Sequence, residues 1–333
     1  MSLISADPLR LGAHSVELGG LTQRYHVRGH GGPVCVAIPG GPGAHWDYLR
    51  MPAVEQQMTV VYVEPLGTGQ SGRLAGHPHG YTRDVYAWAL DRLLDHLGRD
   101  RVHLLGHGYG GNVAQLYASR RAERLAGLIL YASSPVNGAE HDEEKSRQLD
   151  QFVRRNQWNP ELPAVLAALR SVDEISDDAR RSAAVRAFFP ACVAHYWARR
   201  QELGPLRSRL RMTHVSGLDA IGLPEAVDDR ALLPAIDAPV LVVTGCYDIY
   251  GGLRWGRELH ALIPGARLLV LAYSGHLGHV EEPERFAEGV LGFVRGAADR
   301  AEPRQPPRNA GRGAARTVAR AAPHPHPATR SAL

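Results

Sequence analysis

Apolar residues occur in short runs along the chain, and most of these runs are bounded by glycine or proline. The run from Pro33 to Ile38 and the run from Thr59 to Val63 are continuous rather than alternating, which is typical of strands buried on both faces of a sheet. Comparable runs lie at 102–105, 125–131, 239–244 and 267–271. Before them, two shorter segments joined by Gly19-Gly20 form a hairpin signal. The pattern predicts a hairpin followed by six buried strands.

Helical periodicity separates most of these runs. Between Tyr81 and Leu97 the apolar residues recur at a spacing that places them on one helical face. From Asn137 to Leu223 the strand signals stop, and helical, charged segments replace them. Because strands that alternate with helices form a mainly parallel sheet with right-handed crossovers, we predict an α/β fold. Its core comprises residues 1–136 and 224–299, and residues 137–223 are inserted as a helical cap.

Composition and charge distinguish a folded body from a tail. The chain of 333 residues is 44% apolar and 22% charged, as in ordinary globular proteins. From residue 301 onward, six arginines stand against one glutamate, a net charge of +5, so the whole-chain value of +4 leaves −1 for residues 1–300. We predict that residues 300–333, rich in proline, alanine and arginine, are disordered. The near-neutral body offers no electrostatic basis for binding nucleic acid.

Cysteine usage and the N-terminus limit the class of protein further. Cys35, Cys192 and Cys246 are too few and too far apart for a disulfide framework or a metal site. No apolar run approaches the length of a membrane span, and no basic segment followed by an apolar one stands at the start. We therefore expect a cytoplasmic protein that needs no metal or cofactor, does not bind membranes and acts on a small molecule.

A glycine-rich turn follows the strand signal at 102–105. The turn is succeeded by a helical pattern, and this strand–turn–helix order is that of a nucleophile elbow, G-x-S-x-G, in which a strained turn presents a serine above the sheet. Gly106 and Gly110 supply the small residues that the turn requires. The residue at the serine position is Gly108, which has no hydroxyl.

Further motifs accompany the elbow in a fixed order. They are Gly40–Gly43, Glu64–Ser71, Gly245–Asp248 and Gly275–Pro283. With the elbow, these motifs resemble those of the proline iminopeptidase-like group of the α/β-hydrolase superfamily, over residues 15–298. The chain departs from the group's pattern at Pro39, where a histidine is usual, at Glu64-Pro65 and at Gly108. The resemblance implies an α/β-hydrolase fold with a helical cap.

The resemblance also implies roles for individual residues. Asp248 corresponds to the triad acid, although an aspartate there also suits a turn or a helix cap, and His276 corresponds to the triad histidine. His279, three residues later, is the competing histidine. The backbone N–H groups of Gly41 and Tyr109 correspond to an oxyanion hole, which does not depend on side-chain identity. A turn glycine without ligand contact is the alternative for Gly41.

The substrate class follows from residues around these motifs. Iminopeptidases of this group carry an acidic residue just after the triad aspartate that holds the substrate's amine, and here Ile249 stands at that position. We therefore expect an uncharged or apolar substrate, with Ile249 among the residues that bind it. His107 flanks the elbow and is expected to line the pocket. Phe188, Tyr196 and Trp197 are expected to line it from the cap or, equally, to form the core of the cap.

Three functional hypotheses remain open at this point. Without a hydroxyl at Gly108 no acyl-enzyme forms there, and loss of a triad serine typically costs about 10⁶-fold in turnover. In the first hypothesis, Asp248 and His276 perform acid/base catalysis of elimination, isomerisation, cyclisation or water-mediated hydrolysis, as in a biosynthetic tailoring enzyme. The second is a pseudo-hydrolase that binds ligands or acts as a scaffold, and the third is a conventional hydrolase with a mutated nucleophile. The presence of both acid and histidine favours the first.

Overall fold

An eight-stranded sheet organises residues 7–301, the part of the chain that the computed structural model describes. Its strands are β1 (Gly12–Leu18), β2 (Leu21–Arg28), β3 (Val34–Ile38), β4 (Thr59–Glu64), β5 (Val102–His107), β6 (Leu125–Tyr131), β7 (Val240–Gly245) and β8 (Arg267–Leu271). The strand order is β1-β2-β4-β3-β5-β6-β7-β8. Only the pairings of β2, with β1 and with β4, are antiparallel. The predicted mostly parallel α/β sheet is confirmed.

The burial of each strand follows its sequence pattern. In β1, exposed and partly buried residues alternate because this strand lies at the edge of the sheet. In β4, β5 and β7 every residue is buried, as the continuous apolar runs predicted. The turn between β1 and β2 needs positive φ at two consecutive residues, and Gly19 (φ 59°) and Gly20 (φ 91°) supply it.

Helices cover both faces of the sheet. They are α1 (Pro52–Glu55), α2 (Arg83–Leu97), α3 (Tyr109–Arg121), α4 (Ala139–Asn156), α5 (Leu162–Ser171), α6 (Asp178–Cys192), α7 (Arg200–Arg209), α8 (Gly252–Leu262), α9 (Gly278–Glu281) and α10 (Pro283–Ala301). Helices α2, α3 and α8 contribute to the apolar core on one face, and α1 and α10 to the core on the other. Neighbouring strand residues such as Cys35 and Val36 belong to opposite cores, as the pleat requires.

Helices α4 to α7 lie between β6 and β7 in the chain and have apolar clusters of their own. One cluster gathers Phe152, Val165 and Phe188, and a second gathers Phe189, Tyr196 and others around Leu277, which follows β8. The helical segment therefore packs against the end of the sheet that carries the loop after β8. This arrangement supports the proposal that residues 137–223 are a cap.

The C-terminal boundary differs from the prediction by two residues. Residues 300 and 301 were expected in the tail, but α10 continues to Ala301. The remaining tail residues and their predicted disorder lie outside the described residues. Within 7–301, no helix combines the length and the apolar character that a bilayer crossing demands.

Candidate active site

The turn between β5 and α3 has a backbone that favours glycine. Gly108 has φ 52° and ψ −120°, a conformation that residues with a Cβ rarely adopt. Close packing fixes the flanking residues: a Cβ on Gly106 would lie 2.3 Å from the carbonyl oxygen of Gly110, and one on Gly110 would lie 2.6 Å from that of Ile38. The N–H of Gly108 donates to the carbonyl of Tyr131 (2.9 Å), which ties the turn to β6.

Space for a side chain nevertheless exists at Gly108. A Cβ there would lie 3.4 Å from Nε2 of His276 and 3.6 Å from the Cα of Gly40, which are ordinary van der Waals contacts. The backbone conformation, rather than crowding, disfavours other residues at this position. A side chain on residue 108 would therefore face the imidazole of His276 directly.

His276 and Asp248 lie together at the carboxyl end of the sheet. Asp248 follows β7, and His276 belongs to the loop after β8. Nδ1 of His276 donates to Oδ2 of Asp248 at 2.9 Å, and Oδ1 of Asp248 accepts the N–H of Tyr250 at 2.9 Å. Because the carboxylate requires a hydrogen on Nδ1, Nε2 of the neutral ring is unprotonated and faces Gly108. The arrangement suits a general base whose protonated form is stabilised by a buried carboxylate.

His279, the competing histidine, is held within the core. Its Nε2 donates to the carbonyl of Tyr48 at 2.9 Å, and its Nδ1 lies 2.9 Å from the hydroxyl of Tyr131. Burial lowers the pKa of His279 to about 4. The ring is therefore neutral and has both nitrogens in hydrogen bonds, and it does not belong to the cavity wall described below.

Two backbone N–H groups near Gly108 have no hydrogen-bond acceptor among residues 7–301. Gly41 lies in the left-handed region (φ 61°), and its N–H meets no acceptor among residues 7–301. Tyr109 is the first residue of α3, so its N–H has no preceding helical turn to bond. By contrast, the N–H of Gly40 donates to the hydroxyl of Tyr48 at 2.6 Å. Gly41 and Tyr109, the predicted oxyanion pair, both border the same cavity.

A cavity of about 310 Å³ opens onto these groups. Its walls are mainly apolar and include Ala44, Val136, Val185, Phe188, Phe189, Leu210, Met212 and Leu277. Among the described residues of the lining, Asp248 is the only carboxylate, and it is bonded to His276. Within residues 7–301, Arg211 is the only arginine or lysine that lines the cavity, and it donates to Asp47 at 3.0 Å. The cavity thus provides no unpaired charge for an amine or a carboxylate and suits a neutral, largely apolar molecule.

The predicted substrate-binding residues divide into two groups. His107 and Phe188 line the cavity. Tyr196, Trp197 and Ile249 do not. For Tyr196 and Trp197 this agrees with the alternative of packing among the helices, and for Ile249 it corrects the expected placement. Their side chains pack in the apolar clusters of α4 to α7: Tyr196 meets Phe189, while Trp197 and Ile249 join the cluster of Phe152 and Phe188.

Several lining residues were not found from the sequence. His141, in the first turn of α4, has a ring parallel to that of Trp255 on α8, with the centroids 6.1 Å apart. Tyr250 lies with its ring centroid 4.7 Å from that of His276. These residues come from distant segments and belong to no motif. A sequence signal existed only for Tyr250, which lies two residues after Asp248.

Cys192 is the one thiol that lines the cavity in the described part of the chain. It is buried, and burial raises the pKa of its thiol well above the ordinary value. The thiol is therefore protonated near neutral pH and is a poor nucleophile. Its carbonyl accepts the N–H of His276 at 2.8 Å, so its backbone helps to hold the histidine loop. Across residues 7–301 no group of three or more histidine, cysteine, aspartate or glutamate side chains is arranged to hold a metal ion.

A buried carboxylate joins the histidine loop to the segment after α6. Glu281 accepts the N–H of Gly275 at 2.7 Å and that of Ala194 at 2.6 Å. Its side chain is nearly inaccessible to solvent, and burial raises its pKa to about 7 despite these two bonds. Glu281 thus couples the position of His276 to the proposed cap.

Comparison with known proteins identifies the family. Residues 33–283 match the model of the alpha/beta hydrolase fold family. A putative carbamate hydrolase, RutD of Caulobacter sp. strain K31, is 28% identical over 290 residues, covering 81% of this chain and 95% of that protein.

More distant matches agree with this result. A proline iminopeptidase of Clostridioides difficile is 25% identical over 75% of this chain and 86% of its own length. The iminopeptidase is thus one distant relative among others. The crystal structure of a hydrolase from Pseudomonas aeruginosa PA01 superposes with a TM-score of 0.64 and 25% identity, covering 85% of this chain and 98% of that one. The chain belongs to the α/β-hydrolase fold family.

Proposed function

We propose that this protein is an enzyme that uses Asp248 and His276 as a general acid/base pair on a small, uncharged or largely apolar molecule, without an acyl-enzyme. The observation that carries the proposal is the orientation of His276. Its Nδ1 is bonded to Asp248, and its other nitrogen, Nε2, faces a glycine where a serine would be needed for covalent catalysis.

The free Nε2 of His276 is the proton acceptor in the first step. It removes a proton from a substrate carbon or hydroxyl, or from a water beside Gly108, and Asp248 stabilises the imidazolium that forms. The negative charge that develops on a substrate oxygen is stabilised by the N–H groups of Gly41 and Tyr109. In the second step the imidazolium returns its proton to the product.

The space beside Gly108 supports either of two outcomes. An ordered water occupies about 30 Å³, which is similar to the volume of a small side chain, so direct hydrolysis needs no protein nucleophile. If the substrate itself fills the space, the same base produces an enolate or alkoxide that leads to elimination, isomerisation or cyclisation. Both outcomes use His276 in the same protonation states, so one set of variants tests both.

The cap proposed above supports the preference for apolar molecules. It contributes Val185, Phe188 and Phe189 from α6, and Leu210 and Met212 after α7, to the cavity wall. Side chains of this kind exclude water from the site, which strengthens the interactions of the few polar groups within it.

A second candidate is a ligand-binding protein without catalysis. It is favoured by the absence of a hydroxyl at Gly108 beside a cavity that retains its apolar walls. A third candidate, a hydrolase whose serine was exchanged for glycine, is favoured by the room for a Cβ at Gly108. Both candidates make predictions that differ from those of the acid/base enzyme.

The test is a turnover screen with the full chain, the His276→Ala variant and the Gly108→Ser variant. Activated esters, lactones, carbamates and enolisable ketones are supplied, and intact-mass spectrometry monitors covalent adducts. The acid/base enzyme turns over a compound without an adduct and loses that activity in His276→Ala. Binding without turnover in all three proteins supports the second candidate. Activity restricted to Gly108→Ser supports the third.

A further inference from the structure

A partly buried chain of hydrogen bonds connects the loop at Gly40 with the histidine loop. The N–H of Gly40 donates to the hydroxyl oxygen of Tyr48 at 2.6 Å. That hydroxyl lies 2.7 Å from Nδ1 of His107, and Nε2 of His107 lies 2.9 Å from the carbonyl oxygen of His276. Tyr48 belongs to a 3₁₀ turn, Trp46–Leu49, and His107 is the last residue of β5.

The direction of every hydrogen in this chain follows from chemistry. A carbonyl only accepts, so Nε2 of His107 carries a hydrogen and donates it to His276. His107 is fully buried, and desolvation holds its pKa far below the ordinary value, so the ring is neutral and Nδ1 carries no hydrogen. Tyr48 therefore donates its hydroxyl hydrogen to Nδ1 of His107 while its oxygen accepts from Gly40.

This order has two consequences for the candidate site. The N–H of Gly40 is used by Tyr48, which leaves Gly41 as the donor that this loop offers to a substrate oxygen. The chain also joins the backbone of the oxyanion loop to the backbone of His276 through two side chains. A change in either side chain alters the distance between the proton acceptor and the anion-stabilising N–H groups.

We propose that Tyr48 and His107 are positioning residues that set the distance between the oxyanion loop and His276. The proposal rests on the proposed function, because it assigns the two residues to the same site. Neither residue takes part in proton transfer to the substrate.

The neutral state of His107 also supports His276 as a base. The ring centroids of His107 and His276 are 4.4 Å apart. A positive charge on His107 would disfavour the protonation of His276 at this distance and would weaken it as a base. The hydroxyl of Tyr48 contributes by donating to the nitrogen that would otherwise accept a proton.

Nuclear magnetic resonance of the full chain with ¹⁵N-labelled histidine tests the hydrogen-bond chain without reference to activity. The signals of His107 are assigned with the His107→Gln variant. We expect an unprotonated Nδ1 and a protonated Nε2 throughout the range from about pH 5 to about pH 8. In Tyr48→Phe, the Nδ1 signal shifts because its donor is lost. A hydrogen on Nδ1, or titration of His107 within this range, overturns the proposal.

A kinetic comparison tests the positioning role. The substrate is the compound turned over in the screen, or an activated ester in a Gly108→Ser background. Because small displacements of reacting groups are costly, Tyr48→Phe lowers kcat about 10- to 100-fold and leaves KM within about twofold. His107→Gln retains an N–H donor and an oxygen acceptor, so its kcat falls less than that of His107→Leu.

Tyr117→Phe is the matched control. Its hydroxyl donates to Asp91 at 2.9 Å, and it does not line the cavity, so kcat is unchanged. If Tyr48→Phe behaves like Tyr117→Phe, the positioning role is refuted even where the acid/base function holds. If no protein turns over any compound, the proposed function fails, and the histidine spectra still decide whether the hydrogen-bond chain exists.

Discussion

Nε2 of His276 lies 3.4 Å from the point where a Cβ on Gly108 would stand. The other nitrogen of the ring is bonded to Asp248, so the histidine is oriented as a base although the residue in front of it has no side chain. A histidine oriented in this way acts on whatever molecule enters the space, rather than on a neighbouring serine.

Asp248→Asn tests the orientation of the histidine. The amide retains an oxygen for the N–H of Tyr250 but presents an N–H to Nδ1 of His276, which favours the wrong tautomer. We expect kcat to fall by about 10⁴-fold, as for the equivalent change in a serine protease triad, with a nearly unchanged melting temperature. The control is Asp150→Asn, an exposed residue of α4 whose exchange leaves kcat unaltered. Equal activity of the two variants would exclude a catalytic role for Asp248.

Gly108→Ser and Gly108→Ala separate the effect of a hydroxyl from that of added volume. Both lower the free energy of unfolding by about 1–3 kcal/mol because a Cβ is strained at a φ of 52°. Both also fill the space beside His276 and reduce the native turnover. Only Gly108→Ser gains hydrolysis of an activated ester, measured with a p-nitrophenyl ester. Esterase activity in Gly108→Ala at the level of Gly108→Ser would show that the hydroxyl is irrelevant.

Glu281→Gln tests the buried carboxylate at the histidine loop. The pKa of Glu281 is raised from 4.5 to about 7 in the folded protein, so between these pH values the folded chain holds a proton that the unfolded chain has released. This group therefore makes the fold less stable as pH rises from 4.5 to 7, by about 3 kcal/mol at most. Glu281→Gln lacks this contribution.

The measurement is the free energy of unfolding of wild type minus that of Glu281→Gln across this pH interval. Buried histidines such as His103 and His279, whose pKa values are lowered to about 4, destabilise the fold as pH falls, but they contribute equally to both proteins. We expect the difference to decrease with rising pH. For the exposed Glu288→Gln on α10 the difference is flat. A flat difference for Glu281→Gln as well would contradict the raised pKa.

Asp229→Ala tests the ion pair that joins α2 to the segment following the proposed cap. Arg83 donates to both oxygens of Asp229, at 2.9 and 2.7 Å, and to Glu225 at 3.0 Å. Since removal of Asp229 leaves the buried guanidinium without its main partner, we expect a loss of about 3–5 kcal/mol in chemical denaturation.

The control for this pair is Asp84→Ala, which breaks an exposed pair with Arg120 and costs about 1 kcal/mol or less. In the double variant of Arg83 and Asp229, the loss should be smaller than the sum of the single losses, since no unpaired charge remains. Equal losses for Asp229→Ala and Asp84→Ala would refute the role of the buried pair.

The sheet and the pairing of His276 with Asp248 were both predictable from the sequence, but the two predictions rest on different signals. Six strands have continuous apolar runs and the first two form a hairpin signal, so all eight were found from local pattern alone. Asp248 and His276 stand in short motifs whose order along the chain places them at the ends of neighbouring strands. The structure then shows the 2.9 Å bond between them, while their catalytic roles stay predictions.

The cavity wall was harder to predict because it depends on tertiary packing. The pattern at Tyr196 and Trp197 marks an apolar helical face but does not distinguish a helical core from a pocket wall, and both residues pack in the apolar clusters of α4 to α7. Tyr48 lies in a short turn without periodicity, and His141 lies in a strongly charged helix. Only the folded chain brings these two residues to the site of His276.

The most direct test is kcat/KM for the compound identified in the screen, measured with the wild-type chain and with His276→Ala. The exposed His260→Ala on α8 serves as the control. We predict a loss of about 10²- to 10⁴-fold for His276→Ala, wild-type activity for the control, and no covalent adduct in any of the three proteins. Full activity of His276→Ala would contradict the account.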